Sequence, residues 1–225
     1  RQPFILERKG TRFGFMQRTS VYWPVGHEAG EATPGVAAIK GHTAYEPRSN
    51  WNRPGVPATI ITWTDSQYLT EYKADVASLR QQADVVVSSH HWGFAEEVLQ
   101  YQIELAHAAI DSGAHVVMGH GPHFPLGIEV YKGKPIFYGL GSFSFHTGHV
   151  AVHGDWIGLM AKITLEDKEI TKVAFSPVRH NQHNETIIHS AQEEKEALKH
   201  VASLCEKFGT KLDLSGDEVV VWQKS

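Results

Sequence analysis

The chain carries almost no cysteine. Cys205 is the one thiol in 225 residues, which excludes a disulfide within the chain. No apolar run approaches the roughly 18 residues of a membrane-spanning helix. Positive charge is not in excess either. Lys and Arg number 21 against 25 Asp and Glu, for a formal net charge of −4, so the basic footprint of a nucleic-acid binder is missing and no nucleic-acid partner is expected. Internal repeats and low-complexity segments are also lacking. With 41% apolar and 20% charged residues, the chain is too apolar for disorder and long enough for one large domain. It opens at Arg1 without a basic-then-apolar leader, which suggests a processed chain or a fragment. Histidine is what it has in abundance: 15, more than its 13 leucines. Imidazole is the usual metal ligand and acid–base group near neutral pH, so function turns on whether these side chains converge.

Hydrophobic patterning predicts the following elements. Pro3–Leu6 and Arg12–Gln17 read as a hairpin or two edge strands around Arg8-Lys9-Gly10. From Arg18 to Pro57 the pattern dissolves into an irregular, Gly- and Pro-containing segment that embeds Trp23 and Trp51; its length suggests a functional or partner-contacting excursion. Ala58–Trp63 reads as a β-branched strand, 65–82 as a helix capped by Asp65, and 84–89 as a strand buried on both faces. Phe94–Ser112 reads as a second helix ended by Gly113, and His115–Met118 as a third strand. Strand–helix–strand–helix–strand implies an α/β layer with parallel strands. Downstream come hairpins at 127–138 and 156–178, a helix opened by the capping box Ser190–Glu193 and stopped at Gly209, and a tail strand at 218–222.

Two of these strands run directly into histidine. The first ends in His90-His91-Trp92-Gly93, the second in Gly119-His120-Gly121-Pro122-His123. Parallel strands joined by a crossover helix end on the same sheet edge, where α/β proteins bind ligands. Three imidazoles at one edge suit a transition-metal ion. Only one of His90 and His91 can face the site, because successive strand residues point to opposite faces. Spacing does not choose between them. Gly119 and Gly121 are expected to let the backbone turn tightly around His120. His146, in a Gly-rich loop with His149 and His153, is a candidate substrate or supporting contact. His180, His183 and His189 read as surface residues, and His107, His115 and His200 as structural.

Val85–Gly93, Ala114–His123 and Gly127–Phe145 together resemble the CapA family, the capsule and poly-γ-glutamate synthesis proteins of bacteria within the calcineurin-like metallophosphoesterase superfamily. The resemblance is strongest over 84–145. Its His-Trp-Gly motif falls on His91-Trp92-Gly93 and selects His91; its Gly-His-x-Pro-His motif marks His120 and His123. It implies a four-layered α/β metallophosphoesterase-like sandwich with two divalent metals (Mn, Fe or Zn), held in part by His91, His120 and His123. His90, Trp92, Ser142 and His146 would support those ligands or meet substrate. Two departures stand out: Ser142 replaces the Asn of the family's Tyr-Ser-Leu-Gly-Asn-Phe motif, and Gly139 replaces its serine. The resemblance also implies that residues 1–225 form the C-terminal part of one such domain, with 18–57 as an insertion. The Gly-Asp, Asn-Leu-Glu and Asn-Asn-His motifs, and with them the general acid, would lie upstream of Arg1.

These readings lead to an expected metal-dependent hydrolase linked to an anionic surface polymer or a phosphoester substrate, with capsule-synthesis membrane proteins as partners, inactive when reduced to this segment. The location would be the cell surface or membrane if an upstream anchor exists, and otherwise the cytoplasm. The rival expectation is a non-catalytic polymer-assembly module using the Trp23–Trp51 segment. A mononuclear zinc hydrolase on His91, His120 and His123 is the third.

Overall fold

The computed structural model describes residues 2–46, 58–93, 96–144, 157–181, 183 and 185–224. The N-terminal hairpin forms as β1 (Phe4–Arg8) and β2 (Thr11–Thr19), turned by Lys9 and Gly10 at positive φ. Only β1 is an edge strand; β2 lies inside the main sheet, parallel to a later strand. The segment that follows is more ordered than its composition suggests. Residues 36–39 run beside the end of β2, where the Thr19 N–H donates to the Ala37 carbonyl and the Thr19 carbonyl accepts from the Ile39 N–H, and Gly41–Glu46 form β3. Residues 47–57, including Trp51, are outside the described residues.

The largest correction concerns β4 (Thr59–Thr64). It does not join the parallel layer but pairs antiparallel with β3 in a separate two-stranded ribbon. Its apolar run is not continuous once Thr is counted as polar. Thr62 and Thr64 turn inward, while Ile60 is 59% and Trp63 44% exposed. The Thr62 hydroxyl accepts the Tyr101 N–H, and the Thr64 N–H donates to Glu104, tying the ribbon to the helix beneath it.

α1 (Ser66–Arg80) starts where expected, because the Asp65 carboxylate accepts from the N–H groups of Gln67 and Tyr68. β5 (Val85–His91), α2 (Gln100–Asp111) and β6 (Val116–His120) form the expected crossover unit. α2 begins six residues later than the sequence suggested. Leu99 is extended, and its N–H is taken by the Gln102 side chain at 2.7 Å, which fixes the helix start there. β7 (Ile128–Tyr131) and β8 (Lys134–Phe137) complete a mixed six-stranded sheet in the order β1-β2-β5-β6-β8-β7.

β9 (Gly158–Glu166), β10 (Glu169–His180), β11 (Thr186–Ile188) and β12 (Val219–Gln223) build a second, antiparallel sheet, and α3 (Lys195–Glu206) lies between β11 and β12 in sequence. The reciprocal Ser190–Glu193 bonds are present, although the regular helix starts only at Lys195. The fold is therefore a mixed α/β architecture with two cores. On one face of the main sheet, Met16, Val86 and Val117 meet Tyr72, Val76 and Leu79 of α1 and Leu105, Ala106 and Ala109 of α2. On the other face, Val116, Ile128 and Phe137 meet Val173, Phe175 and Val219 of the second sheet and Leu198, Val201 and Cys205 of α3. No helix among the described residues is long and apolar enough to cross a membrane.

Candidate metal centre

β5 and β6 are parallel, and their last residues, His91 and His120, stand directly opposite each other in the ladder. The crossover through α2 requires this arrangement, and it brings two imidazoles together at the carboxyl edge of the sheet. The rings lie 5.2 Å apart, inclined at 77°. The Ser89 hydroxyl, two residues before His91 and on the same face, sits 3.2 Å from His120 Nε2. Burial, and then the neighbouring His91, hold His120 below the usual imidazole pKa. Both effects favour the neutral form, the one that binds metals. Beside His91 a cavity of about 380 Å³ opens, lined by Gln17, Arg18, Thr19, Val21, Val36 and Ala37.

Alternation along β5 sends His90 to the opposite face, where it is fully buried. Its Nε2 meets the Tyr72 hydroxyl at 2.9 Å and the Ser88 hydroxyl at 3.1 Å. Its ring stacks on Trp92 at 4.5 Å. Burial, followed by the positive charge of Arg18 and the proximity of His120, pushes its pKa down to about 3. Trp92 is equally buried and donates its indole N–H to the Tyr138 carbonyl at 2.8 Å. Gly119 packs directly against that bond. A Cβ there would lie 2.3 Å from both Trp92 Nε1 and Tyr138 O. Close approach, not a turn, is thus what Gly119 provides; the turning glycine is Gly121, at φ +127°.

His123 is exposed, at φ +67°, and its Nδ1 lies 3.0 Å from the buried Ser142 hydroxyl. His146, His149 and His153 are outside the described residues. Among the described residues no group of three or more His, Cys, Asp or Glu is arranged to hold a metal ion. The structure thus joins His91 to His120 and Ser142 to His123, while His90 and Trp92 lie within the fold. Two facing imidazoles are of the kind a transition-metal ion takes, and would supply only part of its coordination shell.

Sequence patterning gave no hint of the residues that fix this edge. The Ser20 N–H donates to the His91 carbonyl at 2.9 Å, and Trp92 N–H to that of His120. The Tyr101 hydroxyl accepts the Gly93 N–H at 2.8 Å and lies 3.0 Å from the Ser20 hydroxyl. Arg18, 4% exposed, pairs with Asp75. Several other histidines have partners within the fold. His107 bonds Glu129 and His115 accepts the Val86 N–H. His180 and His189 are half-buried rather than free on the surface, bonded to Thr186 and Glu194. His200, expected to be structural, is exposed on α3.

Residues 1–147 match the family described as Bacterial capsule synthesis protein PGA_cap. Over 75 residues, 32% of this chain, the sequence is 41% identical to the PGA biosynthesis protein CapA of Bacillus subtilis (strain 168), covering 20% of that protein. It is 32% identical over 126 residues, 55% of this chain, to a probable polyglutamine synthesis accessory protein of Mycobacterium tuberculosis, covering 33% of it. It is 43% identical over 68 residues, 29% of this chain, to the capsule biosynthesis protein CapA of Bacillus anthracis, covering 16% of it. The matched segments thus span a third or less of the length of these relatives.

Proposed function

The chain belongs to the bacterial capsule synthesis protein PGA_cap family, and from that membership we propose that it contributes the histidine half of a metal-dependent hydrolase centre serving capsule or poly-γ-glutamate synthesis. The observation that carries this reading is the His91–His120 pair, two imidazoles 5.2 Å apart at the carboxyl ends of adjacent parallel strands. A metallophosphoesterase-like sandwich and a two-metal site belong to the same proposal. The substrate would be an anionic polymer or a phosphoester, and the partners capsule-synthesis membrane proteins.

His91 and His120 would hold a divalent ion such as Mn, Fe or Zn, with His123 as a further donor from the adjoining loop. When bound there, the ion would supply Lewis acidity, polarising a phosphoryl oxygen and acidifying water near neutral pH. The protein's own groups prepare that edge. Ser89 orients the His120 ring, and Ser142 does the same for His123. The Trp92–His90 stack on the far side of β5 keeps water from beneath it. The cavity beside His91 offers room for a substrate group next to the imidazoles.

The test is metal content after equilibrium dialysis against Mn or Zn, together with hydrolysis of a chromogenic phosphodiester. His120→Ala is expected to lose bound metal and any turnover. Ser142→Ala is expected to lose only about 10–100-fold in affinity, as a supporting group does. Metal binding that survives His120→Ala unchanged overturns the reading. A second reading, a non-catalytic module holding a polymer or protein partner, is favoured by Trp23, which is 71% exposed.

A further inference from the structure

Three backbone polar groups of the His91-Trp92-Gly93 tripeptide are engaged by residues outside it. The His91 carbonyl accepts from Ser20 N–H, and Trp92 N–H donates to the His120 carbonyl. The Gly93 N–H donates to the Tyr101 hydroxyl, which in turn meets the Ser20 hydroxyl. Ser20 follows the last residue of β2, and Tyr101 lies in the first turn of α2. The two hydroxyls, 81 residues apart in sequence, close a ring around the tripeptide: Ser20 grips its start and Tyr101 its end. Both anchors are themselves fixed. Thr19 is bonded to the 37–39 segment, and the Tyr101 N–H is taken by the Thr62 hydroxyl. Tyr101 is only 8% exposed. Gly93, two residues past the end of β5, sits at φ +82°, so the backbone turns at that residue and its conformation depends on what holds its N–H.

We infer that Ser20 and Tyr101 are positioning residues that set the presentation of His91 to a divalent cation. The inference rests on the metal reading above. Neither side chain is placed to ligate; each acts through the backbone on either side of Trp92. With the ring intact, the His91 carbonyl and the Gly93 amide are fixed, and the imidazole leaves a rigid strand end facing His120. Loss of the Tyr101 hydroxyl frees the Gly93 end, and loss of the Ser20 hydroxyl removes the brace that orients Tyr101. The His91 ring would then be presented over a range of angles, which lowers metal affinity without removing a ligand.

The experiment is a cobalt(II) titration at pH 7.5, followed by visible absorption, of the wild-type chain, Tyr101→Phe, Ser20→Ala, Ser20→Thr and His91→Ala, with thermal melts of each metal-free protein. Tyr101→Phe and Ser20→Ala are expected to bind cobalt about 10–100-fold more weakly with altered band shape, the range typical of supporting groups. Ser20→Thr, which keeps the hydroxyl, is expected to restore the wild-type curve. Wild-type affinity and spectrum in both Tyr101→Phe and Ser20→Ala would overturn the inference, whatever their melting temperatures do. A wild-type chain that takes up no cobalt, or takes it up equally after His91→Ala, would instead sink the metal reading itself. Should Tyr101→Phe fail to fold, the Ser20→Ala and Ser20→Thr pair decides alone.

Discussion

Gly119→Ala should be among the most damaging single-methyl additions to this protein. The added Cβ would lie 2.3 Å from Trp92 Nε1, 2.3 Å from Tyr138 O and 2.7 Å from Trp92 Cε2. None of these atoms can easily retreat. The indole is fully buried and stacked on His90 at 4.5 Å and on Tyr138 at 6.2 Å. The Tyr138 oxygen is main chain, one residue past β8, and the Tyr138 N–H is bonded to Gly127. Overpacking of this kind costs roughly 1–3 kcal/mol. Breaking the Trp92–Tyr138 bond strands a buried donor at roughly 1–3 kcal/mol more. The sum is about 2–6 kcal/mol, or a fall in Tm on the order of 10 °C for a chain of this size. Urea unfolding followed by tryptophan fluorescence measures it, with Gly10→Ala as the control. Gly10, unlike Gly119, sits in the left-handed region, at φ +73°, with nothing within 4 Å of a new Cβ, so its replacement carries a backbone cost alone, of about 1 kcal/mol. If Gly119→Ala loses no more than Gly10→Ala, the claim that Gly119 is there for close packing is wrong.

Two further outcomes follow from buried polar groups. Asp75→Ala removes the carboxylate from Arg18, a residue 4% exposed whose guanidinium carbon lies 5.8 Å from the Tyr72 ring centroid; because Asp75 is itself 40% exposed, a loss of about 1–2 kcal/mol in urea unfolding is expected, and a loss below about 0.5 kcal/mol would mean the pair is dispensable. Acid should destabilise the fold in part through His115, whose pKa is pushed down to about 4 by burial and then by Lys134 and Arg80. The unfolded chain takes up that proton near pH 6.5 and the folded chain only near 4, so the contribution is complete above 6.5 and is lost as pH falls between these values. His115→Gln should flatten the drop in Tm between pH 7.5 and 5, while His90, with the same sign of shift, keeps it from vanishing; an unchanged slope would refute the assignment.

The parts of the fold legible in the sequence are those where one local rule suffices. Asp65 before a helical period, Lys132-Gly133 between two short strands, and the apolar run of β5 each specify their element without help from distant residues. β4 misled for a physical reason. Thr, Ile and Trp all favour strands, but propensity does not say which sheet receives them. Thr62 and Thr64 are the buried residues of this strand and bond α2, while its apolar residues Ile60, Ile61 and Trp63 stay exposed, the reverse of the pattern that composition suggests. The place expected for β4 in the parallel layer is taken by β2, whose alternation made it look like an edge.

The site divides along the same line. The His91–His120 juxtaposition follows from local reasoning, because a crossover helix forces two strand ends onto one edge and the residues there are fixed by counting. Which of His90 and His91 faces that edge does not follow, since alternation allows either until the register against α1 is known. The structure resolves it through chemistry that spacing cannot encode. His90 fills a fully buried slot among Tyr72, Ser88 and Trp92, where a neutral ring can stack and bond. His91, one residue on, is left to the half-exposed face with His120. Ser20 and Tyr101 were invisible for a stronger reason. Each is an ordinary residue at its own position, a serine after a strand and a tyrosine in a helix, and each gains its role only when β2 and α2 are brought to the same strand end. Sequence motifs mark the side chains that could do chemistry at such an edge. The groups that hold those side chains at a working angle come from wherever the fold delivers a hydroxyl or an amide, and only the assembled structure names them.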